Sequence, residues 1–342
     1  MMNIDMFKDQ TIAIMGGSGS WGRELTRQLI LKEPKEITIF SRGEISQVDM
    51  ERTFNNPLVR YVIGDIRDKE AVDKVMQGVD YVFQLAALKH VPICENQPHE
   101  AILTNIYGVI NLINSAIKHK VKKFIDVSTD KAADPSNLYG MTKAIGEKLT
   151  IQANCQTKNT EFICVRGGNV LGTNGSLVPY VINQIRYTNK VKVTNDKMTR
   201  FFITLPEAIE LLFIATEHGI GGETYIMNMP SFKIIDLVDL LVNFYGSPDT
   251  RIEITGSREG EKLHEVLITE QEGDRARVVN KDLFVIYPQI KTGRNYFHQW
   301  DAEAHWNEAT GLMNILHHKL TSEDNLKDRQ CLTELLKKGG WL

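Results

Sequence analysis

Residues 11–22 read TIAIMGGSGSWG and run into RELTRQLIL at 23–31. A β-rich apolar run, glycines at 16, 19 and 22, and then apolar residues at helical spacing describe a strand, a tight turn and a helix. In such a turn the first glycine permits the reversal. The second lets backbone approach a bound anion, and the third allows close packing of helix on strand. Unpaired N–H groups and the dipole at the helix start favour a phosphate there. A glycine triplet alone also fits a flexible surface turn, so the rest of the chain decides between the two.

The rest alternates. EITIF (36–40), RYVIG (60–64), YVFQL (81–85), KFIDVS (123–128) and EFICVR (161–166) read as strands, and helix-length segments lie at 21–33, 69–78, 97–119 and 138–157. Near-continuous apolar strands alternating with helices indicate a parallel sheet covered on both faces. The expected class is α/β, a Rossmann-type doubly wound parallel sheet with a smaller C-terminal substrate-binding lobe. Residues 1–175 form the nucleotide-binding domain and 176–290 mainly the lobe, with a strand near 225–229 returning to the sheet. Residues 291–342 are expected to be a helical C-terminal tail.

In that setting the glycine loop reads as a dinucleotide site, with Gly16, Ser18, Gly19, Ser20, Trp21 and Gly22 around the pyrophosphate. NAD readers carry an acid at the end of the second strand for the ribose 2′-hydroxyl. This chain has Phe40-Ser41-Arg42 there, followed by Glu44. A hydroxyl and a guanidinium suit a 2′-phosphate, so NADP is expected in preference to NAD, with Ser41, Arg42 and Glu44 around it. Asp65 and Ile66, after the third strand, are placed to meet the adenine, Asp65 accepting from its amino group. Ala86 and Ala87, after the fourth, are small enough for backbone to lie along the cofactor.

The chemistry gathers in VSTDKAADPSNLYGMTK (127–143), which leaves the fifth strand with Thr129, Asp130 and Lys131 in succession. Tyr139 and Lys143 stand four apart on the next helix and share a face. An Asp–Lys neighbour pair is common on surfaces, and a Tyr–Lys pair arises often by chance. All five together at a strand end of an alternating fold point to catalysis.

Composition removes other classes. A net charge of −3 favours neither nucleic acid nor a membrane surface as partner, and no apolar run approaches the length of a membrane span. MMNIDMFKDQ lacks a basic-then-apolar leader, so a cytoplasmic protein is expected. The cysteines at 94, 155, 164 and 331 show no CxxC spacing and read as reduced thiols, not a metal site.

With these pieces assembled, the chain resembles the extended short-chain dehydrogenase/reductases. More narrowly, it is similar to the bacterial inverting UDP-N-acetylglucosamine 4,6-dehydratases of capsule and flagellin-glycan synthesis. The narrower resemblance rests on FSRGE (40–44), AALKHVP (86–92), STDKA (128–132), GNVLGTNGSLVP (168–179), MTRFFITLPEA (198–208) and GEKLHEVLI (260–268). It spans about residues 11 to 290 and implies a UDP-sugar substrate and a homo-oligomer. Asn169, Ser176 and Leu177 then correspond to sugar-nucleotide contacts, with Lys89 facing the sugar, Thr194 the uracil and Arg258 the diphosphate. Asn105 is expected to brace the active site. One departure is Gly167, where the family usually has an aromatic residue.

The resemblance gives the groups their tasks. C5–H of a hexose is not acidic until C4 is a ketone, so an overall redox-neutral dehydration needs a hydride taken from C4 and returned to C6. Tyr139 is the expected base for the C4 hydroxyl, drawn toward phenolate by Lys143, which also holds the nicotinamide ribose. Thr129 hydrogen-bonds the C4 oxygen. Lys131 is the expected C5 base, kept neutral by burial and by Lys143, and Asp130 the acid at the departing hydroxyl. The lysine after Asp130 accompanies the inverting branch. A configuration-retaining dehydratase, an epimerase or oxidoreductase on another nucleotide sugar, and an NADP-sensing interaction protein remain as alternatives.

Overall fold

The computed structural model describes residues 4–294, 314–316 and 318–342. Its main sheet has ten strands in the order β16-β14-β15-β10-β6-β5-β4-β1-β2-β3. The first six in sequence are β1 (Thr11–Met15), β2 (Glu36–Ser41), β3 (Val59–Ile63), β4 (Tyr81–Gln84), β5 (Lys123–Thr129) and β6 (Glu161–Gly167). They pair in parallel, with β10 (Thr224–Met227) parallel beside β6. The strand order reverses between β1 and β4, and a crevice for a dinucleotide opens at such a switch point, outside the carboxyl ends.

Burial of both faces explains why these strands are apolar throughout. Ile12 and Ile14 face a layer holding Leu25 and Leu29 of helix α1 (Ser20–Ile30). Ala13 and Met15, at alternate positions, face the layer behind the sheet. Helices α2 (Glu44–Phe54), α3 (Lys69–Val75), α4 (Val91–Asn96), α5 (Pro98–Ile102), α6 (Gly108–His119) and α7 (Leu138–Ala153) follow the strands. Val109 and Leu112 of α6 belong to that rear layer.

The expected single helix at 97–119 is interrupted by a π-helical turn, Leu103–Tyr107, between α5 and α6. Asn105 lies in this turn and explains it. Its side chain accepts from Leu88 N at 2.8 Å and donates to Leu88 O at 2.9 Å and to Thr142 Oγ1 at 3.0 Å. The widened turn thus ties the end of the β4 segment to α7.

The smaller lobe uses α8 (Leu177–Thr188), α10 (Ile234–Tyr245) and short strands: β7 (Asn169–Val170), β8 (Lys190–Val193), β9 (Thr199–Ile203), β11 (Ser231–Lys233), β12 (Arg251–Ile254) and β13 (Val266–Ile268). Helix α9 (Leu205–His218) belongs instead to the main unit, since Ile209, Leu211 and Leu212 pack in the layer with α1. Two expectations are corrected. The range 176–290 was assigned mainly to the lobe, yet after α11 (Glu270–Gly273) β14 (Ala276–Asn280) and β15 (Leu283–Ile286) extend the main sheet as antiparallel strands.

The tail is also not simply helical. Its residues 295–313 lie outside the described residues, but β16 (Asn314–Ile315) pairs with β14, and β17 (Leu320–Thr321) with β13. Strands two residues long carry no periodicity of their own, and their conformation is set by the edges they meet. Helix α12 (Arg329–Lys338) closes the lobe core, placing Leu332 and Leu336 beside Val178 and Ile182 of α8 and Leu237 and Leu241 of α10.

Candidate active site

A cavity of about 900 Å³ runs along the carboxyl ends of the parallel strands and under the lobe. At one end is the glycine loop, where Gly16, Ser18, Gly19, Ser20 and Trp21 line the wall. Gly16 has φ +77°, and a Cβ there would stand 2.8 Å from the Ala86 backbone, so only glycine fits. Gly22 faces away from the cavity. A Cβ on it would lie 2.1 Å from Gly17 O, which makes it the contact that lets α1 start directly on the loop.

Ser41 and Arg42 line the wall beyond β2, with Ser41 Oγ 2.9 Å from Ser18 Oγ. Arg42 is exposed and stands 3.9 Å from Asp65. Glu44 is exposed on the first turn of α2 and is not part of the wall. Asp65 and Ile66 do line it, yet Asp65 is already engaged. Its oxygens accept from the Arg67 backbone at 2.9 Å and from the Arg67 guanidinium at 2.8 Å. Burial pushes the Asp65 carboxyl up, but Arg67 and Arg42 outweigh it and hold it below its ordinary range. Asp65 thus meets the cavity as a carboxylate already shared with Arg67.

Ala86, Ala87 and Lys89 follow β4 along the cavity, and Asn169, Ser176 and Leu177 face them from the lobe side. Lys89 Nζ donates to Asn174 O at 2.8 Å, and Asn174 N donates to Ser20 Oγ at 3.0 Å, so the 173–176 loop spans from the glycine loop to the β4 segment. Two expected substrate contacts lie outside the wall. Thr194 turns its hydroxyl to Met198 Sδ within the lobe, and Arg258 is exposed on the loop before β13, its backbone N–H held by Glu261.

The catalytic candidates meet at the end of β5. Thr129 Oγ1 donates to Asp130 Oδ1 at 3.0 Å, and Lys131 Nζ donates to the same oxygen at 3.0 Å. Asp130 is fully buried behind the wall, whereas Thr129, Lys131, Tyr139 and Lys143 line it. Helix α7 starts with the Asn137 side chain capping Gly140 N, which sets Tyr139 and Lys143 on the turns facing β5. Lys143 Nζ lies 3.4 Å from Oδ1 of Asp126, a buried β5 residue.

The charges depart from expectation. Where a lysine lowered toward neutrality is expected, burial works against the charge of Lys131 but Asp130 and Glu265 outweigh burial and hold it above the ordinary lysine range. Burial raises Asp130, as an acid requires, and Glu265 adds to that while Lys131 opposes it. Burial also raises Tyr139, outweighing the ammonium groups of Lys143 and Lys131 that favour phenolate.

Several residues of the site escaped the sequence reading. Glu265 lies 3.3 Å from Lys131 across the fold. Nothing local in GEKLHEVLI (260–268) marks its partner. The hydroxyls of Thr104 and Ser128, like that of the expected Ser176, line the cavity with buried oxygens that have no hydrogen-bond partner among the described residues. His90 faces Gly175 across the cavity. Arg200, Lys262 and His264 are structural ties: Arg200 donates to the carbonyls of Thr199, Lys262 and Leu263, Lys262 to Ala133 O, and His264 meets Thr199 Oγ1. At Gly167, paired with Thr129 in the sheet, an added Cβ would meet no atom within 4 Å. Among the described residues there is no His/Cys/Asp/Glu cluster that could hold a metal ion, and no helix is long and apolar enough to cross a membrane.

An inverting UDP-N-acetylglucosamine 4,6-dehydratase of Campylobacter jejuni is 41% identical over 290 residues, 84% of this chain and 85% of that protein. A UDP-glucose 4-epimerase of Rickettsia canadensis is 42% identical over 277 residues, 79% of this chain and 81% of that one. The X-ray structure of Pen from Bacillus thuringiensis superposes with a TM-score of 0.89 at 35% identity, covering 98% of this chain and 99% of that one. The polysaccharide biosynthesis protein family matches residues 12–287. This chain therefore belongs to the polysaccharide biosynthesis protein family.

Proposed function

We propose that the chain is an NADP-dependent UDP-N-acetylglucosamine 4,6-dehydratase that inverts C5. The observation that carries this reading is the Asp130–Lys131 pair, 3.0 Å apart, beside Tyr139 and Lys143. Epimerisation at C4 requires the tyrosine and lysine of the redox step. It has no task for a second, buried acid–base couple.

The residues present fit the cofactor. The cradle at Gly16 would be filled by any Cβ, Ala86 leaves room for backbone contact, and the unpartnered hydroxyls await donors or acceptors. Held along the glycine loop and Ala86, the cofactor would supply a hydride acceptor for C4 of the hexose and the same hydride for C6. Tyr139 takes the proton of the C4 hydroxyl, and the positive charges of Lys143 and Lys131 lower the cost of the phenolate. Thr129 orients that oxygen. Transfer of one proton from Lys131 Nζ to Asp130 Oδ1 turns their ion pair into an amine and a carboxylic acid, with no change in net charge. The amine then takes the C5 proton and the acid protonates the departing C6 hydroxyl, which leaves as water.

Incubating the protein with NADP and UDP-N-acetylglucosamine and weighing the product decides between the readings. Loss of one water from the sugar supports dehydration. A product of unchanged mass with C4 inverted favours epimerisation, the activity named for the Rickettsia relative, and overturns the proposal.

Arg42 gives a cofactor prediction. Arg42→Asp is expected to weaken NADP binding by roughly 10- to 100-fold, the value of a charge-assisted hydrogen bond, and to improve NAD binding. Fluorescence titration with each cofactor reads this directly, and an unchanged NADP affinity would remove Arg42 from the 2′-phosphate.

A further inference from the structure

The Asp130–Lys131 pair is built against a second carboxylate. Glu265 precedes β13 and is almost fully buried, with Oε1 3.3 Å from Lys131 Nζ and 3.5 Å from Arg200 Nε. Its Oε2 and the Oδ2 of Asp130 are both buried without hydrogen-bond partners among the described residues. The backbone of Glu265 is pinned in both directions by Ser322, just after β17. Glu265 N donates to Ser322 Oγ at 2.9 Å, and Ser322 N donates to Glu265 O at 2.9 Å. Ser322 Oγ in turn donates to Thr199 O at 3.1 Å, next to Arg200. The C-terminal segment therefore fixes where this carboxylate stands, although it lies beyond the family match at 12–287.

We propose that Glu265 is a positioning residue for the acid–base pair, holding Lys131 Nζ between two carboxylates and keeping the pair's mobile proton from being lost. The inference rests on the dehydratase reading, in which Asp130 and Lys131 need one proton between them. The charged and titratable groups around Lys131 are Asp130, Glu265, Arg200 and Lys262, with Tyr139 and Lys143 on the α7 side. Asp130, Lys131, Glu265 and Arg200 sum to zero charge. When the proton moves from Lys131 to Asp130, Glu265 and Arg200 still balance each other, so no unpaired charge is created in the interior.

The negative charge of Glu265 raises the proton affinity of both members of the pair. Without it the pair gives up its proton at lower pH. An amine base then remains, but no acid is left for the leaving hydroxyl.

The test uses the full chain with NADP bound and lysines labelled with ¹³C at Cε, the Lys131 signal being assigned by its loss in Lys131→Met. In the unsubstituted protein Lys131 should stay charged throughout the folded pH range. In Glu265→Gln it should titrate within that range, and the basic limb of kcat for UDP-N-acetylglucosamine should move to lower pH with KM little changed. Glu265→Asp should restore most of the limb. A Lys131 signal in Glu265→Gln that stays charged as in the parent, with the limb unmoved, would overturn the proposal. The two readings fail separately: absence of turnover in the parent defeats the dehydratase reading, while the Lys131 titration still decides what Glu265 does.

Discussion

Lys131→Met is expected to lower the rate of dehydration by about 10²- to 10⁴-fold, the usual contribution of a positioned general base, while C4 oxidation survives. Tyr139 and Lys143 line the same cavity and do not depend on Lys131 for their position, since Lys143 is held by Asp126 and α7 by its Asn137 cap. The variant should therefore reduce its nicotinamide on mixing with the sugar nucleotide and then stall, which fluorescence of the reduced ring records. It should also fail to exchange the C5 proton with D₂O. Asp130→Asn removes the acid and, with it, the oxygen that takes the Lys131 proton, so C5 exchange and loss of water should both fall while C4 oxidation survives. A Lys131→Met enzyme that still dehydrates at the parent rate would assign the C5 proton to another base.

The second large effect is on stability. Arg166, fully buried on β6, uses all five of its N–H groups: Nε and Nη2 to Glu147 at 3.0 and 2.7 Å, Nη1 and Nη2 to Glu272 at 2.9 and 2.8 Å, and Nη1 to Leu267 O at 2.7 Å. Glu147 lies one turn beyond Lys143 on α7, and Glu272 lies in α11, so one guanidinium joins the catalytic helix to the segment after β13. Arg166→Met strands two buried carboxylates and should cost about 3–5 kcal/mol of unfolding free energy.

The pH dependence follows from Glu272. Burial pushes its carboxyl up, but Arg166 outweighs burial and brings it down to about 2 from 4.5. A carboxyl depressed in the folded state stabilises above its unfolded value and loses that contribution as pH falls through the folded one. The shift is worth about 3 kcal/mol. Denaturant unfolding should thus show Glu272→Gln below the parent by this order at neutral pH, with the gap closing between pH 4.5 and 2. A gap that is constant with pH would show that the carboxylate charge is not what stabilises.

Much of this site was legible because its parts are local. The glycines at 16, 19 and 22 stand between a strand and a helix that announce themselves by period. Asp130 and Lys131 are neighbours, and Tyr139 and Lys143 are one helical turn apart. What escaped depends on distance along the chain. Glu265 reaches Lys131 only through the fold, so the sequence presented a lysine that burial would neutralise where the structure surrounds it with acids. The π-helical turn at Asn105 exists because its amide brackets Leu88, which no helical period signals. Thr194 and Arg258 lie outside the cavity wall, Thr194 with its hydroxyl on Met198, because nothing near them in sequence marks which surface the fold gives them. The strands at 314–315 and 320–321 are too short to show a pattern.

In the dehydratase reading, one site oxidises, eliminates and reduces the same sugar. UDP-N-acetylglucosamine carrying deuterium at C4, turned over in H₂O, tests it most directly, with the label located by NMR and the reaction repeated in D₂O with unlabelled sugar. The account predicts that the C4 deuterium reappears at C6 of a 4-keto-6-deoxy product, that solvent deuterium enters C5, and that the product has the L-arabino configuration. Deuterium still at C4 in a product that has lost no water, or washed into solvent, would contradict it.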